Sequence, residues 1–214
     1  MRKTIITIIF LSSVIAASAQ EFRGFVDAFA GRCLFKSKAQ FNTSYDNISD
    51  ITDDLTFGLY VTGGYQFTPQ WFAGIGFGGY TDMLDWSPRH QCDDFESIYL
   101  PVYADVRWTL DLQRKITPYV DLKLGYQFGV DLGFERVSYH SSTYLTRIGY
   151  KGSMLLQPGV GVRFGKKSGF NLGLAYNAMI GKKIVEYNLS QPGVGKEIGS
   201  VNTGTLMLTF GADF

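Results

Sequence analysis

The chain has 214 residues, with 20 Lys and Arg against 19 Asp and Glu and a formal net charge of +1. That balance offers no clustered basic surface, so a nucleic-acid partner is not expected. Its 25 glycines stand well above the usual ~7 %, and with abundant aromatic and β-branched residues they argue for strands rather than helices.

The first segment reads as an address. Arg2 and Lys3 form a positive start, Thr4 to Ile15 an apolar run, and Ala17-Ser18-Ala19 a small-x-small cleavage site. Residues 1–19 are therefore expected to be a signal peptide, with a single domain over 20–214. The apolar run is too short for the ~20 residues that a spanning helix needs. No cysteine follows the cleavage site, so a lipid anchor is not expected. Without Arg2 and Lys3 the balance becomes 18 basic to 19 acidic residues, a net charge of −1. Beyond this segment charges and glycines interrupt every apolar stretch, which excludes a helical span.

Eight strand-like segments follow, at about 22–34, 55–67, 71–81, 98–110, 117–132, 152–164, 169–181 and 201–214. Short turns join some of them: Thr68-Pro69-Gln70, Asp111 to Ile116, and Gly165 to Ser168. The stretches 35–54, 82–97, 133–151 and 182–200 are long and polar. Short turns on one side and long loops on the other are the habit of a transmembrane barrel. With both ends on the short-turn side, eight strands need three turns and four loops, and the count closes.

Period-two alternation supports the same reading. One face collects uncharged residues, such as Leu55, Phe57, Leu59 and Val61, then Leu100, Val102, Ala104 and Val106, then Leu122, Leu124, Tyr126 and Phe128. The other face carries Arg23, Asp27, Asp105, Arg107, Asp121, Lys123, Asp131, Arg163 and Asp213 among Gly, Thr, Gln and Tyr. A lipocalin-like barrel, apolar inside and polar outside, has the same alternation, so periodicity alone leaves the facing open. Phe67, Trp71, Trp108, Phe164, Phe170 and Phe214 sit beside the short turns, where rings would form a membrane-boundary girdle. The last segment, TLMLTFGADF, puts Leu206, Leu208, Phe210, Ala212 and Phe214 on one face. A long apolar edge strand invites aggregation in water; in lipid, closing a barrel, it is at home. The expected fold is an all-β, eight-stranded, antiparallel up-and-down transmembrane barrel.

The segments LPVYADVRW (100–108), QPGVGVRFG (157–165) and NLGLAYN (171–177), with the aromatic carboxy-terminus, carry a resemblance. The chain resembles the small outer-membrane β-barrel proteins grouped as porin-like or OmpA/OmpX-like barrels. The resemblance implies an outer-membrane location in a Gram-negative bacterium and insertion by the barrel-assembly machinery, with Phe214 as the residue read during assembly. It also implies outer-membrane lipid and lipopolysaccharide as surroundings. The chain departs from two-domain members in having no peptidoglycan-binding segment after the last strand, so cell-wall anchoring is not expected.

Four sets of residues could carry chemistry. A hairpin centred near Arg114 sets Asp105 opposite Lys123 and Arg107 opposite Asp121; these are expected to be lumen salt bridges rather than an ion path or catalytic carboxylates. His140 and Ser142 match the His-x-Ser spacing of lipid A deacylases, with Glu135 and Asp131 nearby. They fall in a long polar loop, which suits a solvated role better. Asp82, Asp85, Asp93, Asp94 and Glu96, against Arg89 alone, could bind a divalent cation but lack the spacing of a calcium loop. Cys33 and Cys92, lone cysteines in an exported chain, are expected to form a disulfide near the outer rim. The sequence thus points to a monomeric, non-enzymatic barrel without a cofactor, acting through its outer loops. A small passive channel and a lipid-modifying hydrolase using His140 and Ser142 are the alternatives.

Overall fold

The computed structural model describes residues 21–37, 40–41, 53–84, 97–110, 114–131, 146–166, 168–188 and 195–214. Their strands are β1 (Glu21–Lys36), β2 (Gln40–Phe41), β3 (Asp53–Gln66), β4 (Trp71–Leu84), β5 (Ser97–Thr109), β6 (Ile116–Asp131), β7 (Thr146–Tyr150), β8 (Gly152–Gly165), β9 (Gly169–Asn188) and β10 (Gly195–Asp213). The eight long strands pair in the order β1–β3–β4–β5–β6–β8–β9–β10, and β10 returns to β1. Every pairing is antiparallel, so the sheet closes on itself and the ring has no edge.

Closure decides the facing that periodicity leaves open. Ile75 is 75 % exposed, Leu208 55 % and Phe214 70 %, whereas Asp105 and Met207 are fully buried. The apolar face therefore points outward and the charged face inward, the reverse of a lipocalin. Alternation with a period of two produces both surfaces from each strand. An eight-stranded ring is just wide enough for its inward side chains to fill it, and the core of this protein is that filled lumen.

The strands run further than the alternation of apolar residues indicates. Most of the stretch expected as a fourth loop belongs to β9 and β10, which stay paired out to Tyr187 and Gly195. Polar partners carry the ladder there: Lys183 Nζ reaches Glu197 Oε2 at 2.9 Å. Two short strands flank this extension, β2 on β10 and β7 on β9. Charged residues can extend a hairpin as readily as apolar ones when they face each other across it, which is why hydropathy ends the strands too early.

Local interruptions have local causes. Pro101 has no N–H to give, and the β4–β5 ladder skips from Phe77–Val102 to Tyr80–Tyr99 around it. Pro158 likewise leaves the β8–β9 ladder broken between Leu156–Ala178 and Gly159–Ala175. A bulge at Leu34 shifts β1 against β10 between Cys33 and Phe35.

Candidate functional site

The lumen is stacked in three layers. At the short-turn end Asp213 of β10 accepts from Arg163 of β8, Nε to Oδ1 at 3.0 Å and Nη2 to Oδ2 at 2.8 Å. Arg23 of β1 adds Nη1 to Oδ2 at 3.3 Å. Arg163 also donates to Gly165 O at 2.7 Å, which fixes the fork relative to the β8–β9 turn. One carboxylate thus ties three strands together at the floor of the barrel.

The middle layer holds five charged groups. Register places Asp105 opposite Lys123 and Arg107 opposite Asp121 on β5 and β6. The ion contacts do not simply follow the register. Lys123 leans along its own strand and bonds Asp121, standing 3.8 Å from Asp105. Arg107 lies 3.6 Å from Asp27 of β1, across the lumen, and 3.9 Å from Asp121. Its guanidinium sits between the rings of Phe25 and Tyr119, 4.1 and 4.6 Å from their centroids. A cavity of about 10 Å³, the size of one water molecule, is bounded by Asp27, Arg107, Asp121 and Lys123 with Tyr60, Gln157 and Thr209. Over the floor and middle layers Asp27, Asp105, Asp121 and Asp213 match Arg23, Arg107, Lys123 and Arg163 in charge.

Aromatic side chains close the outer half. Phe29 stacks on Tyr60 at 4.5 Å, Tyr60 meets Tyr103 edge-on at 5.3 Å, and Tyr80 stacks on Tyr99 at 4.9 Å. Hydrogen bonds fix the rings: Tyr103 with Thr62 at 2.9 Å, and Tyr80 donating to Gln127 Oε1, whose amide donates to Ser153. Met179, Leu155 and Met207 fill the remaining space. Further out, the Lys182 ammonium lies 4.9 Å from the Tyr99 ring centre. Inward-facing glycines make room for rings in both the aromatic and the charged layer. A Cβ on Gly76 would collide with the Tyr103 ring, and one on Gly161 with the Tyr119 ring.

The outer surface is as ordered as the lumen. Trp71 and Trp108 are direct partners across the β4–β5 ladder beside the first short turn. Phe214 exchanges two backbone hydrogen bonds with Gly24, at 2.9 and 3.1 Å, and lays its ring over that glycine.

A closed ring of eight long antiparallel strands, apolar outside and charged within, is an architecture with known counterparts. The fold is that of a small outer-membrane β-barrel. The crystal structure of the outer membrane protein OprG from Pseudomonas aeruginosa is similar with a TM-score of 0.59 and 16 % identity, covering 92 % of this chain and 96 % of that one. Neisserial surface protein A is similar with a TM-score of 0.51 and 14 % identity, covering 90 % and 97 %. At such identities the likeness is one of fold. No protein-family model and no curated protein matches the sequence.

Other candidate residues of this small outer-membrane-type barrel fall at its rim or outside the described residues. His140, Ser142 and Glu135 lie outside them, as do Asp85, Arg89, Asp93, Asp94 and Glu96. Asp131 ends β6, and Asp82 lies two residues before the end of β4, both at the outer side. Among the described residues no group of three His, Cys, Asp or Glu could hold a metal ion. Cys33 sits at the outer end of β1, its Sγ 3.3 Å from Phe35 O, while Cys92 lies outside the described residues. On the extended β9–β10 hairpin, the hydrogen bond to Glu197 raises the pKa of Lys183 above its ordinary value. Sequence reasoning did not find Asp27 as a partner of Arg107, nor the Asp213 fork. Both join strands distant in sequence, for which the alternation carries no signal.

Proposed function

We propose that this chain is an integral outer-membrane protein of a Gram-negative bacterium, exported by the signal peptide over residues 1–19. On this reading the barrel-assembly machinery inserts it, with Phe214 as part of the signal, and it sits as a monomer among outer-membrane lipid and lipopolysaccharide. It acts through its outer loops in a structural, adhesive or binding role, without a cofactor and not as an enzyme.

One observation carries the reading: a continuous outward apolar surface surrounds a lumen blocked by its own side chains. Such a surface is stable in hydrocarbon and a liability in water. Among the described residues, the aromatic layer from Phe29 to Tyr103 closes the outer half, and the cavity in the charged layer beneath it holds about 10 Å³, too little for a solute. That argues against passage through the centre and moves function to the loops.

Planar bilayer recordings test this directly. The purified protein is expected to insert without stepwise conductance; reproducible single-channel steps would overturn the closed-lumen reading. Lipid A from cells with and without the protein is expected to give the same mass spectrum, and loss of an acyl chain would reinstate the hydrolase.

A further inference from the structure

The basic residues of the short turns are gathered on one side of the rim. The turn between β3 and β4 is the uncharged Thr68-Pro69-Gln70, whereas the β5–β6 turn carries Arg114 and Lys115 and the β8–β9 turn carries Lys166 and Lys167. Because β6 pairs with β8, with Ile116 opposite Phe164, the two basic turns are neighbours. A backbone hydrogen bond from Gly165 N to Lys115 O at 2.9 Å fastens one to the other. Arg114, Lys115 and Lys166 are all exposed. Lys167 and Asp111, the remaining charged residues of these turns, lie outside the described residues. Of the described acidic groups at this end, Glu21 lies 3.5 Å from Arg23, and Asp213 is held by Arg163 and Arg23.

Directly beside the cations the outward surface is apolar. Leu110, Ile116, Phe164 and Phe170 are all exposed there. Long cationic side chains at the edge of an apolar band reach the level of lipid phosphates. We propose that Arg114, Lys115 and Lys166 form a docking surface for the phosphate headgroups of anionic phospholipid, in the leaflet on the short-turn side. A free phosphate would satisfy the cations but leave Ile116, Phe164 and Phe170 uncovered. A lipid satisfies both, its phosphate on the turns and its acyl chains on the apolar residues. The proposal rests on the membrane-spanning reading above.

Native mass spectrometry of the protein, refolded into vesicles of equimolar phosphatidylglycerol and phosphatidylcholine, tests it. The wild type is expected to retain phosphatidylglycerol in preference. That preference is expected to fall about fivefold for each cation removed, the scale of one basic residue at an anionic surface. The variant R114Q/K115Q/K166Q is expected to lose it, and K151Q/K183Q/K196Q, at the opposite end, to keep it. Added inorganic phosphate is expected to leave the bound phosphatidylglycerol in place. Equal retention of the two lipids by the wild type, an unchanged preference in the first variant, or displacement by inorganic phosphate would overturn the docking surface. Refolding into pure phosphatidylcholine vesicles, followed by heat-dependent gel migration, separates this from the underlying reading. Failure there would count against membrane insertion itself.

Discussion

Arg163 grips Asp213 with a two-pronged fork across the floor of the barrel, between strands that lie 50 residues apart in sequence. Asp213 is almost fully buried and Arg163 nearly so, and burial sets the consequence of breaking the pair. Removing one member of a buried ion pair leaves the other uncompensated and costs about 3–5 kcal/mol. Asp213→Ala is expected to fall in that range, measured by urea unfolding in short-chain lipid vesicles. A cost below about 1 kcal/mol would show that water enters the floor freely.

Gly76 and Tyr103 make a second test. The Tyr103 ring occupies the space where a side chain on Gly76 would stand, so Gly76→Ala is expected to cost about 1–3 kcal/mol by overpacking. In a Tyr103→Leu background the same change is expected to cost much less. A double-mutant cycle reads the coupling directly, and additive effects would mean that the ring has other room.

On the opposite face Leu208 is half exposed on β10, five residues before the strand ends at Asp213. Leu208→Arg is expected to destabilise the protein in vesicles by about 2–4 kcal/mol, the cost of a cation on the lipid face at mid-depth. The urea midpoint checks it. A neutral result would refute lipid contact at that position.

Orientation is open to proteolysis. Protease added to intact cells is expected to cut within 42–52, 85–96, 133–145 or 189–194, the parts of the expected outer loops beyond the described strands. Cuts in the turn at 111–116 under the same conditions would invert the topology.

The pairing of Cys33 with Cys92 remains a proposal, with Cys33 placed at the outer rim where it requires. Closing a loop of this length is worth roughly 4 kcal/mol in the chain-entropy view. In a ring already closed by its ladders, much of that would pin the second loop instead. Alkylation of the purified protein without reductant is expected to label no thiol. Two labelled thiols per chain would end the proposal.

Much of this fold was legible because the outward surface and the lumen carry opposite chemistry on alternate residues. Leu122 and Lys123 are neighbours in sequence and could only be sorted to opposite faces of a strand. The short turn after β5 then fixed the register, since few residues allow few pairings. What stayed hidden depends on shape across the lumen. Nothing in the spacing of Tyr60, Tyr80, Tyr99 and Tyr103 reveals that their rings stack into one plug. Asp27 meets Arg107 only because the ring is narrow. The loops carry no periodic signal, and the function that would reside there is correspondingly silent in the sequence.

The balance of charges inside the barrel also bears on how it is made. Asp213 belongs to the last strand and Arg23 to the first, and their meeting requires β10 to lie against β1. Until that seam forms, Arg23 is without Asp213, and Asp27 and Arg107 stand on strands not yet brought face to face. A partly closed sheet therefore holds unpaired charge that water must still solvate and that hydrocarbon will not. On the membrane-spanning reading proposed above, entry into the bilayer and closure of the seam are coupled, because the salt bridges make an unsealed intermediate costly to release.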